Sequence, residues 1–394
     1  MKFFSWLLCC ALVIGCATAP YTGRRQMIFV SDGQEIALGQ DAYRHILRDS
    51  VITRDAEAER IVRKVGERIA AAANKPEYKW EFTVINDPQT VNAFAVPGGK
   101  VAVYTGIFGP ARDEAGLAVV LGHEVAHALA RHPAERMSQD MLLQLGGVGL
   151  GVALGRNPAL ANQVLQVYGL GAGVGLALPF SRSQESEADH IGLILMAKAG
   201  YDPRVALDLW QRMEKKESGK SAPPEFLSTH PGYETRVHQL REFLPEALRY
   251  YHSGVGRIET LPSAEALDTA AAQSERQLLQ RIGAINRFVE QGGERPIVEA
   301  LAYQLRASPQ SVFQERQQLG LGYGQYAALR GVASLGRGSI RRVIDEYRSG
   351  RSWSEIADAN GLRLSDLMSW IGELARTTQR MASQLRAPQG RFAR

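Results

Sequence analysis

Leu121-Gly122-His123-Glu124-Val125-Ala126-His127-Ala128-Leu129-Ala130 is a run of good helix formers that carries the pattern His-Glu-x-x-His. Residues four apart on a helix share a face, so His123 and His127 present two imidazoles to one point. Glu124 sits beside that point without being needed as a ligand. Two neutral nitrogen ligands, an open coordination position and a carboxylate that can take a proton from water are the parts of a hydrolytic zinc site. The plainer reading is a helix that merely contains two histidines. Both, however, lie among Val119, Val120, Leu121, Val125, Ala126 and Leu129. Two imidazoles and a carboxylate on an apolar helix are costly unless they share a partner.

The missing ligand should come from a second helix facing the first. The best stretch is Ser181-Arg182-Ser183-Gln184-Glu185-Ser186-Glu187-Ala188-Asp189, in which Glu185 and Asp189 are four apart and share a face. A natural division puts Glu185 on the metal and Asp189 behind it, hydrogen-bonded to the free ring nitrogen of a ligand histidine. Glu187 points elsewhere on the helix and reads as solvated. An acidic helix start that supports the helix dipole is the bland account of these carboxylates. It explains less well why Ile191, Leu193 and Leu195 follow immediately.

At 394 residues the chain is too long for one small core, and two domains plus a targeting segment are expected. With 45% hydrophobic and 22% charged residues the composition is that of a globular protein. The net charge of +5 suits an anionic lipid surface and gives no reason to expect nucleic acid as a partner. Lys2 and the short apolar run Phe3 to Ile14 form an export signal too short to span a bilayer. It ends in Val13-Ile14-Gly15-Cys16, which resembles a bacterial lipobox, although Ile14 stands where a small residue is usual. An ordinary secretory signal cut nearby is the alternative. Residues 1–15 are therefore expected as a lipoprotein signal peptide, with Cys16 lipidated and Ala17 favouring the outer membrane. Cys9 and Cys10 leave with the signal, so no disulfide forms in the mature chain and no thiolate is left for a metal.

Residues 16–31 read as a tether. Amphipathic helices follow from Ser31 to about Leu47 and from about Asp55 to Ala73, then an alternating strand around Trp80, Phe82 and Val84. Asn92 to Tyr104, with its Pro97-Gly98-Gly99 turn, reads as a hairpin beside the motif helix. Its edge serves either as a plain structural strand or as a place where an extended peptide adds. The motif helix is expected from near Asp113 to about His132. Met141 to Ser181 is apolar and Gly-rich; closely packed helices over the site fit better than a membrane span, because Asn157-Pro158 breaks the run. His132 and His190 lie near the motifs and read as bystanders.

The stretches His123–His127, Ser181–Asp189 and Ser228-Thr229-His230-Pro231 with Arg236, together with Asn92–Ala95 and Gly98-Gly99, resemble the HtpX/BepA/Oma-type zinc metallopeptidases. These are relatives of the prenyl-protein CAAX endopeptidase. The resemblance covers about Asp32 to Tyr251 and points to a bacterial lipoprotein member. It implies one Zn2+ per chain held by His123, His127 and Glu185, with Glu124 as general base and Asp189 supporting a ligand. His230 either donates to the oxyanion formed in peptide hydrolysis or binds zinc as a fourth ligand in a resting state; resemblance to periplasmic chaperone-proteases of the family favours the latter. Arg236 either steadies that oxyanion or holds Glu185 and Asp189.

From about Gly254 the resemblance stops. The remainder is Arg-, Gln- and Ala-rich and helical by pattern, without a tetratricopeptide period. Ile340 to Ile371 reads as three short helices broken at Ser349-Gly350 and Gly361, with Tyr347 and Trp353 as core anchors. It resembles a helix-turn-helix, but an interaction module fits an exported chain better than DNA binding.

The expected architecture is α+β and mostly α. A gluzincin-type metallopeptidase domain with a small sheet spans residues 32–253, and a helical accessory domain spans 254–394. The expected function is zinc-dependent cleavage of protein and peptide substrates, misfolded envelope proteins among them, on the periplasmic face of the outer membrane. The alternative from another class is a chaperone or assembly scaffold whose zinc is structural and closed by His230.

Overall fold

The computed structural model describes residues 16–145, 180–217, 226, 230 and 233–386. The chain divides into two compact units, Met1–Leu47 with Ile52–Asp268, and Arg48–Val51 with Thr269–Arg394.

The first unit opens on β1 (Cys16–Thr18) and β2 (Arg25–Met27), paired antiparallel. This stretch was expected as a tether and is instead built into the unit. Ala19, Gln26, Ile28 and Val30 are buried, and Gln26 Nε2 donates to the Ala130 carbonyl at 2.6 Å. Two helices follow, α1 (Asp32–Arg48) and α2 (Ala56–Ala73). The Asp55 side chain caps α2 by accepting from the Ala58 N–H, and Ala58, Ile61, Val62, Val65 and Ile69 bury its apolar face.

The sheet comprises β3 (Glu81–Ile85), β4 (Ala93–Val96) and β5 (Lys100–Tyr104) in the order β3-β5-β4, with β3 parallel and β4 antiparallel to β5. Gly98 and Gly99 turn the β4–β5 hairpin at φ of 89° and 87°, where a side chain would be strained.

The motif helix α3 (Glu114–Leu129) starts at Asp113, whose carboxylate accepts from the Gly116 N–H. Every residue of α3 is buried, as a helix that is apolar all round requires. It packs against α2, against β4, and most extensively against α5 (Arg182–Lys198). Ser181 and Gln184 form a reciprocal capping box at the start of α5. Helices α6 (Val205–Glu217) and α7 (Tyr233–Ala247) complete this layer.

The motif helix is shorter than its sequence suggests. It stops at Leu129, Arg131 takes the left-handed conformation with φ of 58°, and a new helix, α4 (His132–Leu145), begins. A non-glycine residue holds that conformation only when its surroundings over-determine it. Here the Arg131 guanidinium reaches Asp32 at 2.7 Å, Glu35 at 2.8 Å and the Val30 carbonyl at 2.9 Å.

The first unit also runs beyond the expected limit near 253. Glu259 O accepts from the Glu114 N–H at 3.1 Å, Leu261 N–H donates to Arg112 O at 2.9 Å, and Asn86 Nδ2 donates to Leu267 O at 2.6 Å. These bonds tie the segment to the start of the motif helix and to the loop after β3.

The second unit is helical throughout its described elements: α8 (Ala270–Gly292), α9 (Arg295–Leu305), α10 (Pro309–Leu319), α11 (Tyr323–Leu335), α12 (Ile340–Arg348), α13 (Trp353–Ala359) and α14 (Leu364–Arg386). Ile282, Leu301, Tyr326, Leu329, Ile356 and Ile371 form its core, and Tyr347 lies 5.3 Å from Trp353 within it. The buried Glu275 accepts from the Trp353 N–H and the Ser354 hydroxyl, placing a carboxylate at the N-terminus of α13.

The architecture is α+β and mostly α, as expected. Most of the Gly-rich stretch, residues 146–179, lies outside the described residues. No helix among the described residues is long and apolar enough to cross a membrane.

The contact that positions the site is the crossing of α3 and α5. Glycine faces glycine there: a Cβ on Gly192 would meet His123 N at 2.9 Å and a Cβ on Gly122 would meet Gly192 O at 2.8 Å. Backbone cannot yield as a flexible side chain can. Gly192→Ala should therefore push the helices apart and destabilise the unit by ~1–3 kcal/mol, the range for overpacking a close-packed interior. Urea unfolding checks this, and a midpoint equal to that of the unaltered chain would contradict it.

Candidate metal centre

Crossing at the glycine pair brings one face of α3 against the first turns of α5. His123 and His127 come from α3, Glu185 from α5, and His230 from the segment leading into α7. All four are buried, and one ligand atom from each lies within 4.8 Å of the others. His123 Nε2 is 3.1 Å from His127 Nε2 and 3.2 Å from His230 Nδ1. Glu185 Oε1 is 2.9 Å from His230 Nδ1 and 3.5 Å from His127 Nε2, and Glu185 Oε2 is 3.4 Å from His123 Nε2.

These atoms are too crowded to satisfy one another by hydrogen bonds. His123 Nε2 alone faces two other ring nitrogens and a carboxylate, while a ring nitrogen has one proton or one lone pair to offer. A tetrahedral metal with bonds of ~2.0–2.1 Å has ligand–ligand edges of ~3.3 Å, which is the spacing seen here. The donor set, imidazole nitrogens with a carboxylate, suits zinc.

Outside this group, Asp189 Oδ1 approaches His123 Nδ1 to 2.9 Å, so the ring is held from behind at the nitrogen facing away from the cluster. Arg236 is buried and bridges the two carboxylates of α5, with Nε 2.6 Å from Asp189 Oδ2 and Nη2 on Glu185. Its guanidinium carbon lies 4.0 Å above the Trp210 ring, and Nη1 donates to His230 O at 3.3 Å. Of the two expected placements for Arg236, the structure has the one that holds Glu185 and Asp189.

The electrostatics divide the site. Burial opposes a charge on Glu185, but His230 and Arg236 outweigh it and hold the carboxyl well below the usual range. Burial pushes the Glu124 carboxyl up, only partly offset by His230 and His123. Glu124 Oε1 is 3.5 Å from His230 Nε2 and makes no hydrogen bond among the described residues. Burial also disfavours charge on His123, but Asp189 and Glu185 bring it up to about 9, whereas burial drives His127 well below its ordinary value. Protons and a cation compete for the same lone pairs in such a cluster.

Two sequence expectations are corrected here. Glu187 is buried rather than solvated, and His132 is not a bystander. His132 Nδ1 lies 2.9 Å from His127 Nδ1, and His132 Nε2 lies 2.9 Å from Glu187 Oε2. Glu187 also accepts from Arg24 Nε at 2.7 Å and from the Thr22 hydroxyl. Periodicity was right that Glu187 turns away from Glu185; the side it turns to is covered by the N-terminal hairpin and α4. The break at Arg131 swings His132 back onto His127, which an unbroken helix would not do. His190 does stay apart, pairing with Glu246 at 2.8 Å and stacking on Phe243.

Comparison with known proteins agrees with this geometry. Residues 56–244 match the model of Peptidase family M48. The chain is 38% identical over 231 residues to the mitochondrial metalloendopeptidase OMA1 of Schizosaccharomyces pombe, covering 58% of this chain and 66% of that protein. Against the mitochondrial metalloendopeptidase OMA1 of Saccharomyces cerevisiae it is 34% identical over 250 residues, covering 59% and 70%. A putative beta-barrel assembly-enhancing protease of Vibrio cholerae is 31% identical over 261 residues, covering 61% of this chain and 53% of that protein. The matched region contains both helices of the cluster, His230 and Arg236. The chain belongs to peptidase family M48, a family of zinc metalloendopeptidases.

Proposed function

We propose that the chain is a zinc-dependent endopeptidase of the bacterial envelope, with His123, His127 and Glu185 holding the metal and Glu124 acting as general base. The observation that carries this reading is the convergence of four buried ligand atoms beside a buried carboxylate oxygen that has no hydrogen bond among the described residues. Bound zinc supplies Lewis acidity, polarising a peptide carbonyl and acidifying water. Glu124 accepts the proton of the attacking water and returns it to the leaving amine. Burial raises the Glu124 pKa above the ordinary carboxyl value, the direction that suits a group that must both take and give a proton. Asp189 orients His123, and Arg236 keeps Glu185 ionised and in place.

His230 brings a fourth donor to the cluster, which favours a closed resting state in which it occupies the position needed by water. The same observation supports the alternative reading, a chaperone or assembly scaffold with a structural zinc. The Vibrio cholerae relative's name, a beta-barrel assembly-enhancing protease, fits either role and an envelope setting. Substrates are proteins of the periplasm or outer membrane, misfolded chains among them. Anchoring is through a lipid on Cys16 at the periplasmic face of the outer membrane.

Three outcomes follow. Glu124→Gln keeps one zinc per chain and loses hydrolysis of a protein substrate by ~100-fold or more, the usual weight of a general base; full proteolysis by a zinc-loaded variant excludes the mechanism. His230→Ala opens the site and raises peptidase activity, measured on an unfolded protein substrate; an inactive variant that still holds zinc would instead mark His230 as the oxyanion donor. Cys16→Ala moves the protein from the membrane to the soluble fraction, and unchanged fractionation rejects the lipid anchor.

A further inference from the structure

We propose that the N-terminal β-hairpin is a working part of the metal centre, with Arg24 fixing the ring and tautomer of His127 through Glu187 and His132. This rests on the reading of the cluster as a zinc site.

His127 turns Nε2 to the cluster and Nδ1 to His132 Nδ1, 2.9 Å away. A ring nitrogen that offers its lone pair to a metal leaves the other nitrogen carrying the proton. His127 Nδ1–H therefore donates to His132 Nδ1. A neutral His132 that accepts at Nδ1 has its own proton on Nε2, and that nitrogen lies 2.9 Å from Glu187 Oε2, an acceptor. Every link then runs donor to acceptor in one direction, ending on a carboxylate. The reverse order would set a bare His132 Nε2 against Glu187 oxygen, lone pair against lone pair. With His132 neutral, this wiring leaves His127 Nε2 free to bind.

Glu187 ends the relay because it is itself fixed by donors from the hairpin, the Thr22 hydroxyl and Arg24 Nε. Arg24 spends its other face on Glu135, with Nη1 and Nη2 each 2.8 Å from a carboxylate oxygen. Such a bidentate pair fixes direction as well as charge. Glu135 in turn accepts at 2.9 Å from Gln184, the residue that completes the capping box of α5 one position before Glu185. Arg24 thus joins the start of α4 to the start of α5, so one partly buried residue holds two helices whose ends frame the cluster. Gln26 Nε2, on Ala130 O, pins the same hairpin to the end of α3. His132, Glu187 and Arg24 are positioning residues: none touches the metal point.

The test measures zinc release from the purified full-length chain to a chromophoric chelator, with the melting temperature of each metal-free variant as a control. His132→Ala should release zinc ~10-fold faster or more, the usual effect of losing a ligand's hydrogen-bond partner. Arg24→Ala should speed release several-fold. The double variant should be no faster than His132→Ala alone, since both act through one path. Glu187→Gln, which keeps the side-chain volume, gives the same readout should His132→Ala fail to fold. Release at the unaltered rate from these variants, or fully additive effects in the double variant, overturns the inference. So does a lowered melting temperature with unchanged release, the result of a purely structural role. An unaltered chain that holds no zinc overturns the metal reading and this inference together.

Discussion

Two backbones that touch at Gly122 and Gly192 set the distance on which the whole site depends. Side chains of ordinary size at a helix crossing keep the axes 8–10 Å apart. Glycine on both helices removes that spacer, and short, stiff ligands can then meet. Histidine and glutamate have little reach to spare, so a separation of even one methyl group would take Glu185 away from His123 and His127. The surrounding sequence serves that contact: α3 is apolar on every side because α2, β4 and α5 enclose it, and the capping box starts α5 one residue after Ser181.

Enclosure creates an electrostatic problem that the site solves internally. Glu124, Glu185 and Asp189 are three carboxylates below 5% exposure, with the single guanidinium of Arg236 among them. Buried charges of one sign are expensive without partners. A divalent cation would bring the ionised group to electrical balance, so the protein side of the site is complementary to Zn2+ in charge as well as in spacing. The arginine is divided between Glu185 and Asp189, which keeps both carboxylates aimed at the histidines rather than at each other.

Much of this was legible in the chain because it follows from short-range periodicity. His123 with His127, and Glu185 with Asp189, are pairs four apart, and helix geometry alone puts each pair on one face. The sheet hairpin was marked by Pro97-Gly98-Gly99 and the second unit by its helical pattern. What escaped was decided by tertiary contacts. Nothing local announces that Arg131 will turn left-handed, since Asp32, Glu35 and Val30, which hold it there, lie about a hundred residues away. Without that break His132 points along the helix and looks idle. Thr22 and Arg24 looked like linker for the same reason: their partners, Glu135 and Glu187, carry no mark of it in sequence. The spacing of His132 five residues past His127 was the one available hint.

The candidate ligands are also scattered in a way that bears on how the chain reaches its native state. His123 and His230 are 107 positions apart, and Glu185 and His230 are 45 apart. An unfolded or half-folded chain offers a cation at most the local histidine pair, a weak and exposed foothold. Only when α3, α5 and the segment before α7 have closed on one another does the full set exist, after the slow loop closures that long-range contacts demand. Metal uptake by this cluster would therefore come late, and a cation that binds the finished fold alone would deepen that state at the expense of every partly folded one. A potential protease assembled in this order is chemically silent while its own chain is still exposed.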